Sequence, residues 1–344
     1  MRIVITGATG NAGTALLKRL ATAKAEGENL EIVGISRRHP EPLDQPHYLG
    51  VEWQTADVGD PSALPRLQSI LQGADAVVHL AWEIQPNHRQ DELFRTNVTG
   101  TANMLTAAGR AGVGHFVCAS SVGAYSRGHK DRRVAEDWPV DGIPGSHYSV
   151  HKAKQEALLD EFADANPTMA VARLRPGLIF QKRAGSEIGR YFLGRLIPRA
   201  LPPRPRVPVL PVPKKFVFQA VHADDVADAY WRVLQQRATG AFNVAAEPVI
   251  DPNALGWLLG ARRTVPLSVA ALRAVVDFSW RVRLQPTDAG WVDMAAGAPI
   301  MDTTRAREEL GWSPRHTSLE AIAEVLAGMG RGAGVAGSPP LQAR

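Results

Sequence analysis

Tyr148 and Lys152 stand four residues apart in the run Tyr148-Ser149-Val150-His151-Lys152. On a helix this spacing puts a phenol and an amine on one face, in neighbouring turns. A free tyrosine loses its proton near pH ~10. A neighbouring ammonium favours the phenolate, as does an oxidised nicotinamide, so Tyr148 is expected to exchange a proton near neutral pH. Lys152 would also hold the nicotinamide ribose hydroxyls. Ser121, in the pair Ser120-Ser121, offers a hydroxyl that would steady a substrate oxygen as charge develops on it. A Tyr-x-x-x-Lys run arises by chance in many helices, and a serine pair is often only a turn or a cap. A third motif gives the set its chemical meaning.

That motif is the turn Gly7-Ala8-Thr9-Gly10-Asn11-Ala12-Gly13, which follows a short β-rich run and opens a helical pattern. Gly7 allows a tight turn, Gly10 lets backbone approach a pyrophosphate, and Gly13 lets helix and strand pack closely. With Thr9, Asn11 and Ala12 they form a dinucleotide cradle, with the helix N-terminus facing the phosphates. An NAD site wants a carboxylate about 20 residues further on. The chain has Ser36-Arg37-Arg38 there. Two guanidiniums suit a 2′-phosphate, so NADP is the expected cofactor, with NAD the alternative. Asp57 would bond the adenine amino group, with Val58 against the ring; the plainer reading of Asp57 is a helix cap ahead of Pro61. Leu80 and Ala81 end a fourth strand beside the cofactor, and Trp82 would wall the pocket or merely pack.

These residues need a scaffold, and the first half alternates strands with helices. Strands are predicted at Arg2–Thr6, Leu30–Ile35, Val51–Gln54, Ala76–Leu80, His115–Ala119 and Ala170–Leu174. Helices are predicted at Ala12–Ala23, Pro61–Gln72, Asp91–Ala111 and Ser146–Asn166. Continuous apolar runs such as Ala76-Val77-Val78-His79-Leu80 fit strands buried on both faces of a parallel sheet. The fold class is therefore α/β: a Rossmann-like doubly wound sheet with a smaller, mostly helical C-terminal substrate lobe. The expected divisions are a dinucleotide-binding domain over 1–178, a proline-rich substrate-lobe segment over 179–215, a return to the first domain over 216–246, a substrate lobe over 247–330 and a disordered tail over 331–344. Seven prolines between Pro198 and Pro213 exclude helix and interior strand there. A strand at Phe216–Val221, a helix at Ala223–Gln236 and a strand at Phe242–Ala245 would return to the main sheet.

Bulk properties exclude other classes. The net charge of +5 is mild for 344 residues, and no basic run interleaved with aromatics points to nucleic acid. The lone Cys118, in an apolar run, reads as an inert buried thiol in a reducing compartment, so a cytoplasmic location is expected. No stretch is long and apolar enough to span a bilayer, and no membrane partner is expected. Val265–Trp280 fits core packing or a lid better than a membrane-surface helix. His147 and His151 have i,i+4 spacing but no third ligand, so no metal is expected. Asp224-Asp225 reads as a cap and charge for the first turn of the next helix.

The set resembles the extended short-chain dehydrogenase/reductase superfamily, in its NAD(P)-dependent epimerase/dehydratase branch, over about residues 1–328. Thr6 to Gly13 is similar to its T-G-x-x-G-x-x-G turn, and Ser120-Ser121-Val122-Gly123-Ala124-Tyr125 to its S-S-x-x-x-Y run. Val78-His79-Leu80-Ala81, Val221 to Ala227, and Asp302 to Trp312 match further stretches. Thr96-Asn97-Val98-Thr99-Gly100-Thr101 and Leu174-Arg175-Pro176-Gly177 resemble segments that bring Asn97 and Pro176 to the cofactor. The resemblance implies catalysis by Ser121, Tyr148 and Lys152, and a homodimer is common among relatives. After Gly177, however, the chain reads Leu178-Ile179-Phe180-Gln181, where sugar-nucleotide members show an Asn–aromatic–Gly-Pro pattern. The expected reaction is hydride transfer between NADP(H) and a small, weakly polar carbonyl or alcohol. The rivals are a nucleotide-sugar epimerase or dehydratase and a non-catalytic NADP-sensing protein.

Overall fold

The computed structural model describes residues 1–41, 45–85, 87–193, 207–335, 338 and 340–342. Seven strands form one parallel sheet: β1 (Arg2–Thr6), β2 (Glu31–Ser36), β3 (Val51–Thr55), β4 (Ala76–His79), β5 (His115–Ala119), β7 (Ala170–Pro176) and β11 (Gly240–Val244), in the order β11-β7-β5-β4-β1-β2-β3. The order reverses between β1 and β4, so a crevice opens at their carboxyl ends. All six predicted strands of the first half form, and alternate residues face opposite layers. Ile3 and Ile5 join a core with α1 (Asn11–Ala25) and α7 (Ala223–Gln236). Val4, Val33, Val77 and Phe116 join a second core with α2 (Leu64–Leu71), α4 (Gly100–Ala111) and α5 (His147–Ala165). Helices thus cover both faces, as a doubly wound sheet requires.

The helix predicted at Asp91–Ala111 forms with an irregularity. α3 (Gln90–Phe94) runs into α4 through a π-helical turn at Arg95–Thr99. Such one-turn widenings re-aim side chains and recur at functional sites. Asn97 lies in this one.

The second half departs from expectation. Only β11 returns to the main sheet. The segment predicted as strand Phe216–Val221 gives β10 (Ala220–His222), which pairs instead with β8 (Leu178–Phe180). The cause is local: Gly177 approaches Gln219 so closely that a Cβ would lie 2.6 Å from its carbonyl oxygen, and the chain leaves the sheet there. β9 (Val209–Val212), with Pro211 inside it, pairs with β12 (Arg263–Pro266), and β6 (Arg133–Val134) with β13 (Ile300–Met301). Both strands of each pair are edges, where proline is tolerated. The prolines at 198, 202, 203 and 205 lie outside the described residues. The rest of this lobe is α6 (Gly185–Ile188), α8 (Pro252–Leu258), α9 (Val269–Arg281), α10 (Gly290–Gly297), α11 (Thr304–Leu310) and α12 (Ser318–Gly330). No described helix is long and apolar enough to cross a membrane. α9 is not core: among the described residues it contains none that is buried.

The tail corrects another expectation. Its described residues are packed rather than disordered. Val335 and Leu341 lie in the same core as Ala8, Ser338 Oγ donates to the Thr9 carbonyl, and Arg190 donates to the carbonyls of Pro340 and Gln342. Two apolar anchors suffice for this, and a composition of glycine and proline hides them. Leu341→Ala is expected to lower stability by about 2–3 kcal/mol, the usual cost of a truncated buried leucine, measured by urea unfolding. An unchanged midpoint would mean that the tail is not part of the folded core.

Candidate active site

β1 delivers the chain into Gly7, whose φ of +67° suits glycine; a Cβ there would sit 2.7 Å from the Ala81 nitrogen. A Cβ on Gly13 would collide with the Gly7 carbonyl. These two glycines let α1 start hard against the sheet end. Gly10 is the N-cap residue, and no described side chain caps α1 or adds an acid to its first turn. The helix therefore presents unpaired N–H groups and the positive end of its dipole, a fit for a pyrophosphate. Asn11 is held from the other lobe: its amide donates to the Ile179 carbonyl at 3.1 Å and receives Gln181 Nε2 at 2.8 Å. Thr9 is buried, while Ala12 is partly exposed at the start of the helix.

Arg37 and Arg38 leave the end of β2 as expected, but Arg37 is ion-paired with Glu83, just beyond β4. Since β2 and β4 flank β1, that pair bridges the strand from which the glycine turn issues. Arg38 is exposed and has no ion pair among the described residues. Sequence reasoning missed Glu83 because it lies far from both arginines along the chain. Asp57 accepts the Gly59 N–H at 2.9 Å and pairs with Arg95 at 3.1 Å. The helical cap ahead of Pro61 is Asp60, not Asp57. Val58 is buried against Gly100. Leu80 and Ala81 lie at the crevice, bonded to Thr6, and Pro176 ends β7 at the same sheet edge. Asn97 lies in the π-helical turn. Its amide accepts from Glu83 N at 2.7 Å and donates to Glu83 O at 2.8 Å, so it holds the loop after β4.

Of the Ser–Tyr–Lys set, Ser121 and Tyr148 meet, while Lys152 lies one turn along α5 behind the Trp82 ring. Ser121 caps a 3₁₀ turn (Val122–Ala124) after β5, its Oγ accepting from Gly123 N at 3.0 Å. Ser146 caps α5, placing Tyr148 in the first turn. A Cβ on Gly123 would sit 2.8 Å from the Tyr148 ring, so glycine is what lets the phenol lie on that turn and meet the Ser121 hydroxyl. Lys152, only 2% exposed, donates to the Ala119 carbonyl at 2.6 Å and to Gln155 Oε1 at 3.0 Å; the Trp82 ring caps it with its centroid 3.4 Å away. Gln155 continues through Thr101 and His79 to Thr6, a buried polar chain linking the lysine to the cofactor turn.

The electrostatics reverse one expectation. Burial raises the Tyr148 pKa, and the Ser121 hydrogen bond offsets this only in part. Burial also pulls Lys152 down to about 7, against the pull of nearby Glu156. The amine is held by carbonyl, amide and indole, so it does not by itself acidify the phenol. Glu156, fully buried, accepts from Ser120 at 2.5 Å and binds Arg173 and Arg175. Burial would raise its pKa; the Arg175 hydrogen bond and the charges of Arg175 and Arg173 outweigh that and hold it low. Tyr148, Lys152 and Glu156 follow at i, i+4 and i+8, a helical signal that could have exposed Glu156.

Elsewhere, His147 bonds Asp288 at 3.1 Å, while the Nδ1 of His151 is buried without a partner. Asp224 and Asp225 lie in the first turn of α7, but His222 is its cap; Asp225 instead accepts the N–H groups of Arg315 and His316.

The doubly wound sheet with an uncapped glycine turn at its carboxyl edge defines a dinucleotide-binding type of α/β protein. Residues 3–245 match the NAD dependent epimerase/dehydratase family, and the chain belongs to that family, whose members are enzymes. An uncharacterised protein of Mycobacterium tuberculosis strain H37Rv is 27% identical over 334 residues, 96% of this chain and 30% of that protein. The chain thus spans under a third of that relative's length. The N-acetyl-alpha-D-glucosaminyl-diphospho-ditrans,octacis-undecaprenol 4-epimerase of Escherichia coli O157:H7 is 33% identical over 187 residues, covering 53% of this chain and 50% of that enzyme. Among solved structures, the dTDP-glucose 4,6-dehydratase DesIV of Streptomyces venezuelae, with NAD and TYD bound, shares the fold: its TM-score is 0.68 at 19% identity, covering 95% of this chain and 96% of that one.

The depressed Lys152 pKa makes a prediction with a definite sign. Between about 7 and the ordinary lysine value near ~10.4 the unfolded chain binds more protons than the folded one, so Lys152 makes stability rise with pH across that window. The stability of wild type minus that of Lys152→Met is expected to increase from pH ~7 to pH ~9 in urea titrations. A flat or falling difference would contradict a Lys152 amine that gives up its proton more readily in the fold.

Proposed function

We propose that this chain is an oxidoreductase that transfers hydride between NADP(H) and a small, weakly polar carbonyl or alcohol. The observation that carries the reading is the aromatic surround of the Ser121–Tyr148 pair. Trp82 packs edge-on to the Tyr148 ring at 5.7 Å, Trp291 lies 5.0 Å from it, and Phe192 stands 4.9 Å beyond Trp291. Such walls favour an apolar substrate body. The stretch after Gly177, where sugar-nucleotide relatives show an Asn–aromatic–Gly-Pro pattern, reads Leu178-Ile179-Phe180-Gln181, and the Gln181 amide nitrogen is tied to Asn11.

A nicotinamide dinucleotide, when bound, supplies or accepts the hydride. Gly7, Gly10, Gly13 and the start of α1 would hold its phosphates, Arg37 and Arg38 a 2′-phosphate, and Asp57 and Val58 its adenine. Ser121 and Tyr148 would converge on one substrate oxygen. Tyr148, kept protonated by burial, suits the role of proton donor to that oxygen during reduction. Lys152 would hold ribose hydroxyls once Trp82 yields its place. The buried free thiol of Cys118 agrees with a reducing, cytoplasmic location, and a homodimer remains part of the reading. A second reading, a nucleotide-sugar epimerase, is favoured by the likeness to the UDP-glucose 4-epimerase of Azospirillum brasilense, 23% identical over 337 residues, 93% of this chain and 89% of that enzyme. Net NADPH consumption with a carbonyl substrate supports the reductase; a sugar-nucleotide product ratio with no net redox change supports the epimerase.

Two outcomes test the site. Tyr148→Phe is expected to lower kcat by about 10²–10⁴ while leaving NADPH affinity in place; full retention of activity would leave only a cofactor sensor. In fluorescence titrations Arg38→Ala is expected to weaken NADPH about tenfold and spare NADH, whereas Glu83→Gln, by freeing Arg37, strengthens NADPH. Tighter wild-type binding of NADH than of NADPH would overturn the NADP assignment.

A further inference from the structure

α9 presents an apolar stripe to water. Ala271, Ala274, Val275, Phe278 and Val282 recur at helical spacing on one face, and the stripe continues into Leu284. Val275 is 65% exposed, Phe278 66% and Leu284 59%. The opposite face anchors the helix. Trp280 stacks parallel on His88 at 4.4 Å, and Arg273 pairs with Asp293 of α10 at 3.0 Å. The exposed side is therefore a fixed surface rather than a frayed segment.

Its rim is cationic. From Val269 to Leu284 the chain has three arginines, Arg273, Arg281 and Arg283, and a single acid, Asp277, which Arg281 pairs at 2.9 Å. Arg281 and Arg283, on either side of Val282, are exposed, and Arg283 makes no ion pair among the described residues. Scattered exposed apolar residues need no explanation, but a contiguous stripe with a polar rim marks an interaction surface. An apolar face flanked by arginines is the signature of a helix lying in a membrane interface, and each arginine adds attraction to anionic headgroups. A second copy is a poorer occupant, because a two-fold contact would bring these arginines against themselves.

We propose that α9 docks this protein on an anionic lipid surface, with Val275, Phe278, Val282 and Leu284 entering the headgroup region and the arginines contacting lipid phosphates. This goes beyond the proposed reaction and does not depend on it. It also replaces the expectation of no membrane partner, which rested on the lack of a spanning segment.

The test is co-sedimentation of the full chain with vesicles of phosphatidylcholine alone or with phosphatidylglycerol added, at low and high salt. The expected result is pelleting with the anionic vesicles only, reduced by salt. Phe278→Glu should lower the partition constant about tenfold or more, Val275→Asp should repeat that loss at a second position, and Arg283→Gln should lower it several-fold. Unchanged melting temperature and NADPH titration establish that each variant is folded. Absence of pelleting, or pelleting that Phe278→Glu and Val275→Asp leave unchanged, overturns the proposal. So does a wild-type dimer, seen by light scattering, that Phe278→Glu splits into monomers, since a second copy would then cover the stripe.

Discussion

A lysine ammonium nearly removed from water is the constraint around which this site is built. Lys152 has the carbonyl at the end of β5, the Gln155 amide and the indole face of Trp82 as its immediate partners. Stranding a buried charge without such partners is far costlier than stranding a neutral group. The end of the sheet, the first turns of α5 and the loop after β4 must therefore arrive together. One turn further along α5, Glu156 fastens the Ser120-Ser121 turn and the β7 arginines to the same helix. Removing the Glu156 carboxylate would leave buried Arg175 without its counter-charge and Arg173 with Asp160 alone, a loss of about 3–5 kcal/mol by the usual cost of breaking such a pair.

This geometry divides the chemistry between the chain and what it binds. The protein brings Ser121 to Tyr148 and surrounds the phenol with rings, and the burial this entails raises the Tyr148 pKa. The resting site therefore holds a neutral phenol, ready to donate. The positive charge needed to make it a base must come from a bound oxidised cofactor, or from Lys152 released from Trp82. The Arg37–Glu83 pair has the same character at the other end of the crevice: the guanidinium that would greet a 2′-phosphate already has a carboxylate.

Much of this was legible in the sequence. The strands of the first half, the glycine turn and the helical placement of Tyr148 and Lys152 are local features, set by alternation, by φ and by i,i+4 spacing. What escaped depends on contacts between distant segments. Glu83 meets Arg37, Gln181 meets Asn11, and Ser338 meets Thr9 only after the chain has folded. The clamp of the Asn97 amide on the Glu83 backbone is likewise invisible in the sequence. The β10 error has the same root: a strand-like run does not say which strand it will join. The sign of the Tyr148 shift was missed because spacing places an amine nearby without revealing that a carbonyl, an amide and an indole already engage it.

The central claim is that the Tyr148 phenol, neutral in the resting site, turns acidic when an oxidised cofactor binds beside it. A near-ultraviolet difference titration of wild type against Tyr148→Phe, without and with saturating NADP⁺, measures this directly. The account predicts no extra phenolate at neutral pH in the unliganded protein and one equivalent more in the wild type once NADP⁺ is added. A phenolate already present without cofactor, or one that NADP⁺ fails to produce, would contradict it.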